Sequence, residues 1–222
     1  MMSERIIQPT SDGSHTVYSP SFDATYHSIH GARQESLHVF IEAGLHHQHQ
    51  TLQKASLSIF EMGFGTGLNA LLSCQFACPK KLNIYYEAVE QFPLQPAEYQ
   101  QLNYASSEAE QKVFQALHQS TWNETIKIAS HFTIKKVQTD LLHHQPERTF
   151  DLIYFDAFAP EEQPPLWTTE IFDKMFHLLE IGGVLVTYCC KGVVRRNLLS
   201  VGFQVEKLQG PPGKREMLRA TR

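Results

Sequence analysis

The segment that most constrains the fold is the run Glu61-Met62-Gly63-Phe64-Gly65-Thr66-Gly67-Leu68-Asn69. It follows the short apolar run 57–60, which is typical of a β-strand, and precedes an apolar helical pattern over 68–76. Glycines at three alternate positions let the backbone approach a ligand closely. The N-terminus of the following helix adds free N–H groups and the positive end of the helix dipole. The segment therefore predicts a strand–loop–helix unit that binds a ligand.

The order of residues in this segment excludes two phosphate-binding motifs. Leu68 stands where the dinucleotide-binding pattern G-x-G-x-x-G requires its third glycine, and no lysine follows the glycines as it does in a P-loop. An acid two residues before G-x-G-x-G instead resembles motif I of S-adenosylmethionine-dependent methyltransferases. The ligand there has a cationic amino-acid end and a sulfonium, and Glu61 suits that charge.

Strand and helix patterns alternate after position 57, which predicts a mostly parallel sheet with helices on both faces. The predicted strands span residues 57–61, 84–89, 132–137, 151–155 and 184–188, and a final hairpin pairs 203–208 with 216–221.

Capping patterns indicate where the intervening helices begin and end. A capping box, Ser107-x-x-Glu110, precedes one helix, and Thr168 or Thr169 caps another. We expect Gly182-Gly183 to end that second helix, and 193–201 to form a short helix before Gly202.

The expected fold is α/β, with the Rossmann-like sheet of class I S-adenosylmethionine-dependent methyltransferases and a C-terminal antiparallel hairpin. A hairpin over 5–19 and a helix over roughly 32–44 form a small N-terminal extension. We expect residues 1–50 to be this extension and 51–222 the methyltransferase domain, together in one compact unit.

Composition narrows the classes of protein to consider. With 42% apolar and 19% charged residues, the 222-residue chain is an ordinary globular one. No signal peptide and no membrane-spanning run are visible, so we expect a cytoplasmic protein without membrane contact. The net charge of −4 argues against a strongly basic nucleic-acid-binding protein, although a local basic patch remains open. Neither the four cysteines nor the twelve histidines show metal-site spacing, so no metal is expected.

Acidic residues follow three of the predicted strands, at the edge where open α/β sheets bind ligands. Glu90 ends the second strand and can accept two hydrogen bonds from ribose hydroxyls; Glu87 is its competitor, although strand alternation places Glu87 inside. Asp140 follows the third strand, where it either meets an adenine amino group or caps a turn. Asp156 ends the fourth.

The run Asp156-Ala157-Phe158-Ala159-Pro160 suggests an amine as acceptor. Many amino-group methyltransferases have an Asp/Asn-Pro-rich loop at this point, whose carboxylate and carbonyls accept the N–H hydrogens of the substrate. An alkylamine resembles lysine, with a free pKa of about 10.4, so the site must favour its neutral form. Asp156 orients the amine or takes its proton, and Phe158 can stack on a base or face a cation. A rigid loop with a capping aspartate is the structural alternative.

Further runs occur in a fixed order along the chain. They are Tyr26-x-Ser28, Glu35, Glu90-Gln91-Phe92-Pro93-Leu94, Leu166-Trp167-Thr168, Val194-Arg195-Arg196, Gly202-Phe203 and Lys214-Arg215-Glu216-Met217. With the glycine segment and the Asp156 loop, they resemble the methyltransferase domain of the MnmC family of tRNA wobble-uridine modification enzymes and its stand-alone MnmD-type relatives. The resemblance covers essentially the whole chain.

This resemblance implies a reaction. The family uses S-adenosylmethionine to methylate the primary amine of 5-aminomethyl-2-thiouridine at the tRNA wobble position, giving 5-methylaminomethyl-2-thiouridine. MnmC also carries an FAD-dependent oxidase domain. We expect this chain to lack it, and a separate FAD-dependent oxidase is a candidate partner.

The motifs give three sets of candidate site residues. The cofactor-binding set is Glu61, Gly63, Phe64, Gly65, Gly67, Asn69, Glu90, Asp140 and Asp156. The catalytic set is Asp156, Phe158 and Pro160, and the set that contacts the tRNA substrate is Tyr26, Lys214 and Arg215.

Three other functions remain open on the sequence. One is methyl transfer to a small-molecule amine, which the acidic net charge favours; another is aminopropyl transfer, although Thr66 replaces the aspartate usual in that glycine loop. The third is a non-catalytic methyltransferase-like binding module. Four basic doublets are candidate RNA contacts if several of them share the face of the Asp156 pocket: Lys80-Lys81, Lys135-Lys136, Arg195-Arg196 and Lys214-Arg215.

Overall fold

The chain forms a three-stranded sheet and an eight-stranded sheet in a computed structural model that describes residues 4–222. The strands are β1 (Ile6–Pro9), β2 (His15–Ser19), β3 (Ala24–Thr25), β4 (Ser56–Met62), β5 (Asn83–Glu90), β6 (Thr125–Ala129), β7 (Phe132–Gln138), β8 (Phe150–Phe155), β9 (Leu179–Thr187), β10 (Gln204–Gln209) and β11 (Glu216–Thr221). The α-helices are α1 (Ala32–Ser36), α2 (His47–Leu52), α3 (Leu68–Lys80), α4 (Pro96–Tyr99), α5 (Glu108–Gln119), α6 (Thr169–Leu178) and α7 (Gly192–Ser200). A π-helical segment, Leu37–His46, joins α1 to α2, and Pro164–Trp167 is a 3₁₀ turn.

The large sheet has the order β10-β11-β9-β8-β4-β5-β7-β6. Its five central strands, from β9 to β7, are parallel, while β11 and β6 pair antiparallel with β9 and β7. The chain direction across the sheet reverses between β4 and β8, which opens a crevice at their carboxyl ends. The predicted class I sheet with its C-terminal hairpin is confirmed; the edge strand β6 was not predicted.

Strand β8 lies at the centre of the fold, and all six of its residues are buried. Its side chains alternate between two apolar clusters: Leu152 and Tyr154 join the cluster on one face, and Ile153 and Phe155 join the other. Burying each such side chain contributes about 1.5–3 kcal/mol. This packing fixes the point at which β8 ends and Asp156 begins.

The helical segment over 32–52 packs against the face of the large sheet that carries Tyr154. A Cβ on Gly44 would lie 3.0 Å from the Val186 side chain, so the helix backbone almost touches the sheet there. The small sheet β1-β2-β3 precedes this segment, and β3 is a strand that the sequence did not predict. Its turn brings residues 22–28 to the crevice.

Two of the predicted capping signals do not act as predicted. Helix α6 ends at Leu178 and β9 begins at once, so Gly182-Gly183 does not end a helix but lies within a strand. Gly182 has φ +79° and donates its N–H to the carbonyl of Arg222. The first part of β9 is therefore an irregular strand, and Gly182 is not a helix cap. At α5, the Ser107 hydroxyl accepts from the Glu110 N–H as predicted, but the Glu110 carboxylate accepts from Ser106 instead of closing the box on Ser107.

Candidate functional site

A cleft of about 500 Å³ opens at the carboxyl ends of the parallel strands. The loops that follow β4, β5, β7 and β8 line it on one side, and residues of the N-terminal segment line it on the other. Ten of the predicted site residues line the cleft: Tyr26, Gly63, Phe64, Gly65, Asn69, Glu90, Asp140, Asp156, Phe158 and Lys214. Four others do not: Glu61, Gly67, Pro160 and Arg215.

The glycine loop forms the floor of the cleft. The N–H groups of Gly63 and Phe64 both donate to the carbonyl of Val89, 3.0 and 3.2 Å away, which ties the loop to the end of β5. Gly63 has φ +89°, and a Cβ there would lie 3.1 Å from the carbonyl oxygen of Asp156. A side chain at this position would therefore be strained and would press on the loop that begins with Asp156.

Glu90, rather than Glu87, lies in the cleft. The Glu90 carboxylate accepts from the Gly65 N–H at 2.9 Å and from the Phe92 N–H at 2.8 Å, so it braces the glycine loop from the next strand. Glu87 is buried inside the sheet, where it bonds His144 and the Tyr85 hydroxyl. Each Glu90 oxygen keeps a lone pair free for a further donor.

Asp140 both lines the cleft and caps a turn. Its Oδ1 accepts from the Leu142 N–H at 2.9 Å, and its carbonyl accepts from the N–H groups of His143 and His144. The two interpretations that the sequence left open are thus compatible, because one carboxylate oxygen holds the turn and the other remains free for a ligand.

Asn69 joins the two acids on either side of it. Its Nδ2 donates to Glu61 at 3.0 Å and to Asp156 at 2.8 Å. Glu61 is only 1% exposed and lies behind the cleft floor, and its second oxygen is buried without a hydrogen-bond partner. Burial, reinforced by the nearby Asp156, raises the pKa of the Glu61 carboxyl well above its usual range, which favours its neutral form.

Asp156 follows the last residue of β8 and lines the cleft. Burial, and then the negative charge of Glu35, raise the pKa of its carboxyl to about 7, against the opposing effects of Asn69 and Lys214. The group therefore changes its protonation state near neutral pH. A carboxyl with this property can orient a donor and accept its proton within the physiological range.

The loop after Asp156 holds an aromatic ring over the cleft. The Phe158 N–H donates to Gln163 Oε1 at 3.0 Å, and its carbonyl accepts from the Trp167 indole at 2.8 Å. The Phe158 ring stacks on Phe22, with centroids 4.6 Å apart, and meets Tyr26 edge to face at 5.0 Å. Pro160 begins the turn that follows and does not reach the cleft.

Lys214 reaches the cleft from the far end of the chain. Its Nζ pairs with the Glu35 carboxylate and lies 3.8 Å from the centroid of the Tyr188 ring. Glu35 also accepts from the Ser28 N–H at 2.9 Å, and the Tyr188 hydroxyl donates to the Ala157 carbonyl at 2.8 Å. This cluster joins two motifs 179 residues apart in sequence. Arg215, in contrast, is exposed outside the cleft.

Three residues at the N-terminal side of the cleft were not among the predicted site residues: Phe22, His27 and Thr66. Phe22 lines the cleft as described, and His27 Nε2 lies 2.6 Å from the hydroxyl of Thr66 in the glycine loop. Burial lowers the pKa of His27 to about 4, so this histidine is neutral near pH 7. His27 lies inside the run Tyr26-x-Ser28 and Thr66 inside the glycine segment, so both had a signal in the sequence; Phe22 had none.

The four basic doublets do not share one face. Lys80-Lys81 lie between α3 and β5, at the opposite edge of the sheet from the cleft, and Lys136 is buried with its Nζ bonded to the His118 carbonyl. Arg195-Arg196 on α7 and Lys214-Arg215 before β11 lie at the cleft edge of the sheet. Of the four doublets, only these last two can therefore contribute to a basic surface beside the cleft.

Within residues 4–222, no group of histidine, cysteine or acidic side chains is arranged to hold a metal ion. In the same range, no helix combines the length and apolar character needed to cross a membrane.

Comparison with known sequences identifies similar proteins along nearly the whole chain. The chain is 32% identical over 218 residues to the tRNA 5-methylaminomethyl-2-thiouridine biosynthesis bifunctional protein MnmC of Ectopseudomonas mendocina, covering 90% of this chain and 32% of that protein. It is 29% identical over 212 residues to the MnmC protein of Methylobacillus flagellatus, covering 90% of this chain and 33% of that one. The chain thus spans about a third of the length of the curated relatives that it matches.

Solved structures support the fold. The crystal structure of MNMC2 from Aquifex aeolicus matches with a TM-score of 0.82 at 24% identity, covering 99% of this chain and 70% of that one. A spermidine synthase from Thermotoga maritima matches with a TM-score of 0.50 at 12% identity, covering 99% of this chain and 73% of that one.

The sequence profile of S-adenosyl-L-methionine-dependent methyltransferases matches residues 80–222, which is more than half of the chain. This match agrees with the class I sheet, the glycine loop and the acids at the strand ends. The protein belongs to the family of S-adenosyl-L-methionine-dependent methyltransferases.

Proposed function

We propose that this methyltransferase acts on the primary amine of 5-aminomethyl-2-thiouridine at the tRNA wobble position, giving 5-methylaminomethyl-2-thiouridine. The relatives are named for tRNA 5-methylaminomethyl-2-thiouridine biosynthesis, which supports this choice of substrate. The matched part is about a third of those bifunctional proteins, and it is to this part that we assign methyl transfer. A separate FAD-dependent oxidase is then the candidate partner for the preceding step, and a cytoplasmic location follows from the tRNA substrate.

The donor side of the cleft suits S-adenosylmethionine. A Cβ on Gly63 or Gly65 would fall 3.1 Å from the Asp156 carbonyl or 3.0 Å from the Tyr26 ring, so the backbone surface is left open only because these residues are glycines. The neighbouring polar groups are carboxylates, Glu90 and Asp140, which suit hydroxyl and amino donors and repel a pyrophosphate. We assign the donor nucleoside to Glu90, Asp140 and the glycine loop, with Glu61 acting from behind through Asn69.

The chemistry requires a neutral amine in line with the transferred methyl group. S-adenosylmethionine supplies that methyl group from its sulfonium, and the new N–CH₃ bond forms as the S–CH₃ bond breaks. The Asp156 carboxylate accepts an N–H hydrogen of the amine and takes the proton that the nitrogen loses. A raised carboxyl pKa, about 7, makes it a better proton acceptor than an ordinary aspartate. The Phe158 ring, which lines the cleft two residues after Asp156, keeps water from the amine. Pro160 stiffens the loop.

One observation carries the proposal: the half-buried Asp156 carboxyl lies at the end of β8, bonded to Asn69 of the helix that follows the glycine loop. Donor and acceptor sites therefore meet at one side chain. Holding two reactants in near-attack geometry can remove about 7–11 kcal/mol of a reaction barrier.

The test is methyl transfer to tRNA from cells that lack the modification, followed by mass spectrometry of the nucleosides. We expect 5-methylaminomethyl-2-thiouridine to appear at the expense of 5-aminomethyl-2-thiouridine. Binding of S-adenosylmethionine in calorimetry without transfer to this tRNA contradicts the substrate; transfer to a simple alkylamine at a comparable rate then supports a small-molecule enzyme. Absence of both binding and transfer supports a non-catalytic module.

A further inference from the structure

Three phenylalanines line the cleft without belonging to either apolar cluster of the interior. Phe22, Phe92 and Phe158 are each only partly buried, and each comes from a different segment. Large apolar rings that stay in contact with water forgo much of the free energy of burial. When several of them gather at the wall of a concave site, a ligand surface is the usual reason.

Phe22 is held in position by the turn between β2 and β3. Its N–H donates to the Ser19 carbonyl at 3.2 Å, and the next residue, Asp23, has the left-handed φ of 49°. The Tyr18 hydroxyl donates to the Asp23 carboxylate at 2.6 Å, which fixes that unusual conformation. The backbone of the turn thus points the Phe22 ring at the cleft.

The ring meets Phe158 in a stacked pair, with centroids 4.6 Å apart and planes inclined by 24°. Phe158 follows Asp156 by two residues, and its peptide groups are bonded to Gln163 and Trp167. The pair therefore stands at a fixed separation from Asp156. Because the two rings already touch, no third ring fits between them, and a planar ligand would pack on the outside of the pair.

We propose that the Phe22–Phe158 pair is the platform for the pyrimidine ring of the acceptor nucleoside, with Phe22 as a residue that selects base-linked amines. The proposal rests on the function given above and adds how the base is held. A phenyl platform stacks on any base through its π-face, without needing hydrogen bonds to the base edges. Packing the pyrimidine there leaves its aminomethyl group as the part that reaches Asp156.

The test compares Phe22→Ala with wild-type protein on tRNA that carries 5-aminomethyl-2-thiouridine. Removing an aromatic side chain on which one base stacks corresponds to a loss of affinity of roughly 5- to 150-fold. We expect the KM for this tRNA to rise by that factor, while kcat stays within about threefold and the Kd for S-adenosylmethionine is unchanged. Phe22→Tyr keeps a π-face and should behave as wild type, whereas Phe22→Leu keeps most of the volume but should show most of the rise.

Phe76→Ala is the matched control. Phe76 is also a partly buried phenylalanine, but it lies in the second half of α3, outside the cleft. We expect it to lower thermal stability without changing the KM for tRNA, which separates stacking from a general loss of packing.

Two kinds of result overturn the platform. An unchanged or lower KM for Phe22→Ala removes it, and so does a Phe22→Leu variant with wild-type KM, since the ring would then be only apolar filling. If the wild-type protein transfers no methyl group to this tRNA, the proposed function fails and the platform fails with it. Transfer by wild type with no effect of Phe22→Ala removes the platform alone.

Discussion

The two walls of the cleft are built by different kinds of contact. The wall that we propose for the donor (the donor wall) is formed by residues 63–66 with Glu90 and Asp140. It is fixed by hydrogen bonds from backbone N–H groups to the Val89 carbonyl and to the Glu90 and Asp140 carboxylates at the strand ends. The acceptor wall, formed by Phe22, Tyr26, Phe158, Tyr188 and Lys214, is fixed by side chains from segments far apart in the chain. Asp156 stands where the two walls meet.

This difference has a functional consequence. Backbone contacts leave few ways to change a site without losing the fold, which suits a donor that stays the same across a family. A wall of side chains can be exchanged one residue at a time, which suits recognition of a particular acceptor. Substitutions in the donor wall should therefore change cofactor affinity, and those in the acceptor wall should change substrate recognition or turnover.

The largest expected effect is at Asp156, between the walls. Asp156→Ala removes both the acceptor of the amine hydrogen and the proton acceptor, so we expect kcat to fall about 10²- to 10⁴-fold. Affinity for S-adenosylmethionine, measured by calorimetry, should change little, because Glu90, Asp140 and the glycine loop remain.

Asp156→Asn distinguishes the two roles: it keeps one carbonyl acceptor but takes no proton. Turnover as low as that of alanine indicates proton acceptance, and an intermediate value indicates orientation. A parallel loss of cofactor binding would place Asp156 in the donor wall instead.

A smaller effect is expected in the donor wall, from Gly63→Ala. The added Cβ would lie 3.1 Å from the Asp156 carbonyl, and φ is +89°, so the loop must shift. We expect the Kd for S-adenosylmethionine to rise about tenfold or more, and the free energy of unfolding to fall by about 1–2 kcal/mol.

Gly13→Ala is the control for backbone strain alone. Gly13 has a similar φ of +82°, but nothing lies within 4 Å of the added Cβ. It should lose comparable stability and keep wild-type cofactor affinity. Equal losses of affinity in both variants would show that the effect comes from stability and not from the cleft.

The donor wall is also the part of the site that could be predicted from sequence. Gly63, Glu90 and Asp140 lie at strand ends that hydrophobic pattern and turn residues reveal, and parallel strands bring their carboxyl ends to one edge. The same rules predicted β8 as a buried strand and hence the position of Asp156. Local pattern sufficed because each residue is placed by its own strand.

The same rules did not reveal the whole acceptor wall. The family resemblance, rather than strand pattern, supplied Tyr26 and Lys214, and Phe22 and Tyr188 were not predicted as site residues. A turn positions Phe22, but the left-handed residue of that turn is Asp23 rather than a glycine, so no turn signal marks it in the sequence. The Lys214–Glu35 pair depends on how two distant segments pack. At α6, residues Gly182-Gly183 were taken for a helix end because paired glycines are a general stop signal. Leu179 instead pairs with Phe150, so the segment forms a strand. A contact between two distant segments cannot be predicted from the local sequence.

The smallest expected effect is a shift in the pH dependence of turnover, and it sharpens the comparison of the two walls most. The pKa of the Asp156 carboxyl is raised to about 7, first by burial and then by the charge of Glu35. Below that pKa the group is already protonated and can no longer take the proton that the amine loses. Turnover of the wild-type protein should therefore fall about tenfold per pH unit below about pH 7, in addition to any loss from protonation of the amine itself.

Two variants should shift the acid limb of the pH profile, which is the fall of turnover below about pH 7, in opposite directions. Glu35→Gln leaves the positive charge of Lys214 uncompensated, which lowers the pKa of Asp156 and extends activity to lower pH. Lys214→Met leaves Glu35 uncompensated, which raises that pKa and moves the limb to higher pH. Single-turnover rates over a pH series, at saturating tRNA, measure both shifts. A pair of equal shifts in one direction would mean that the cluster acts on the acceptor loop by packing, because charge alone requires opposite signs.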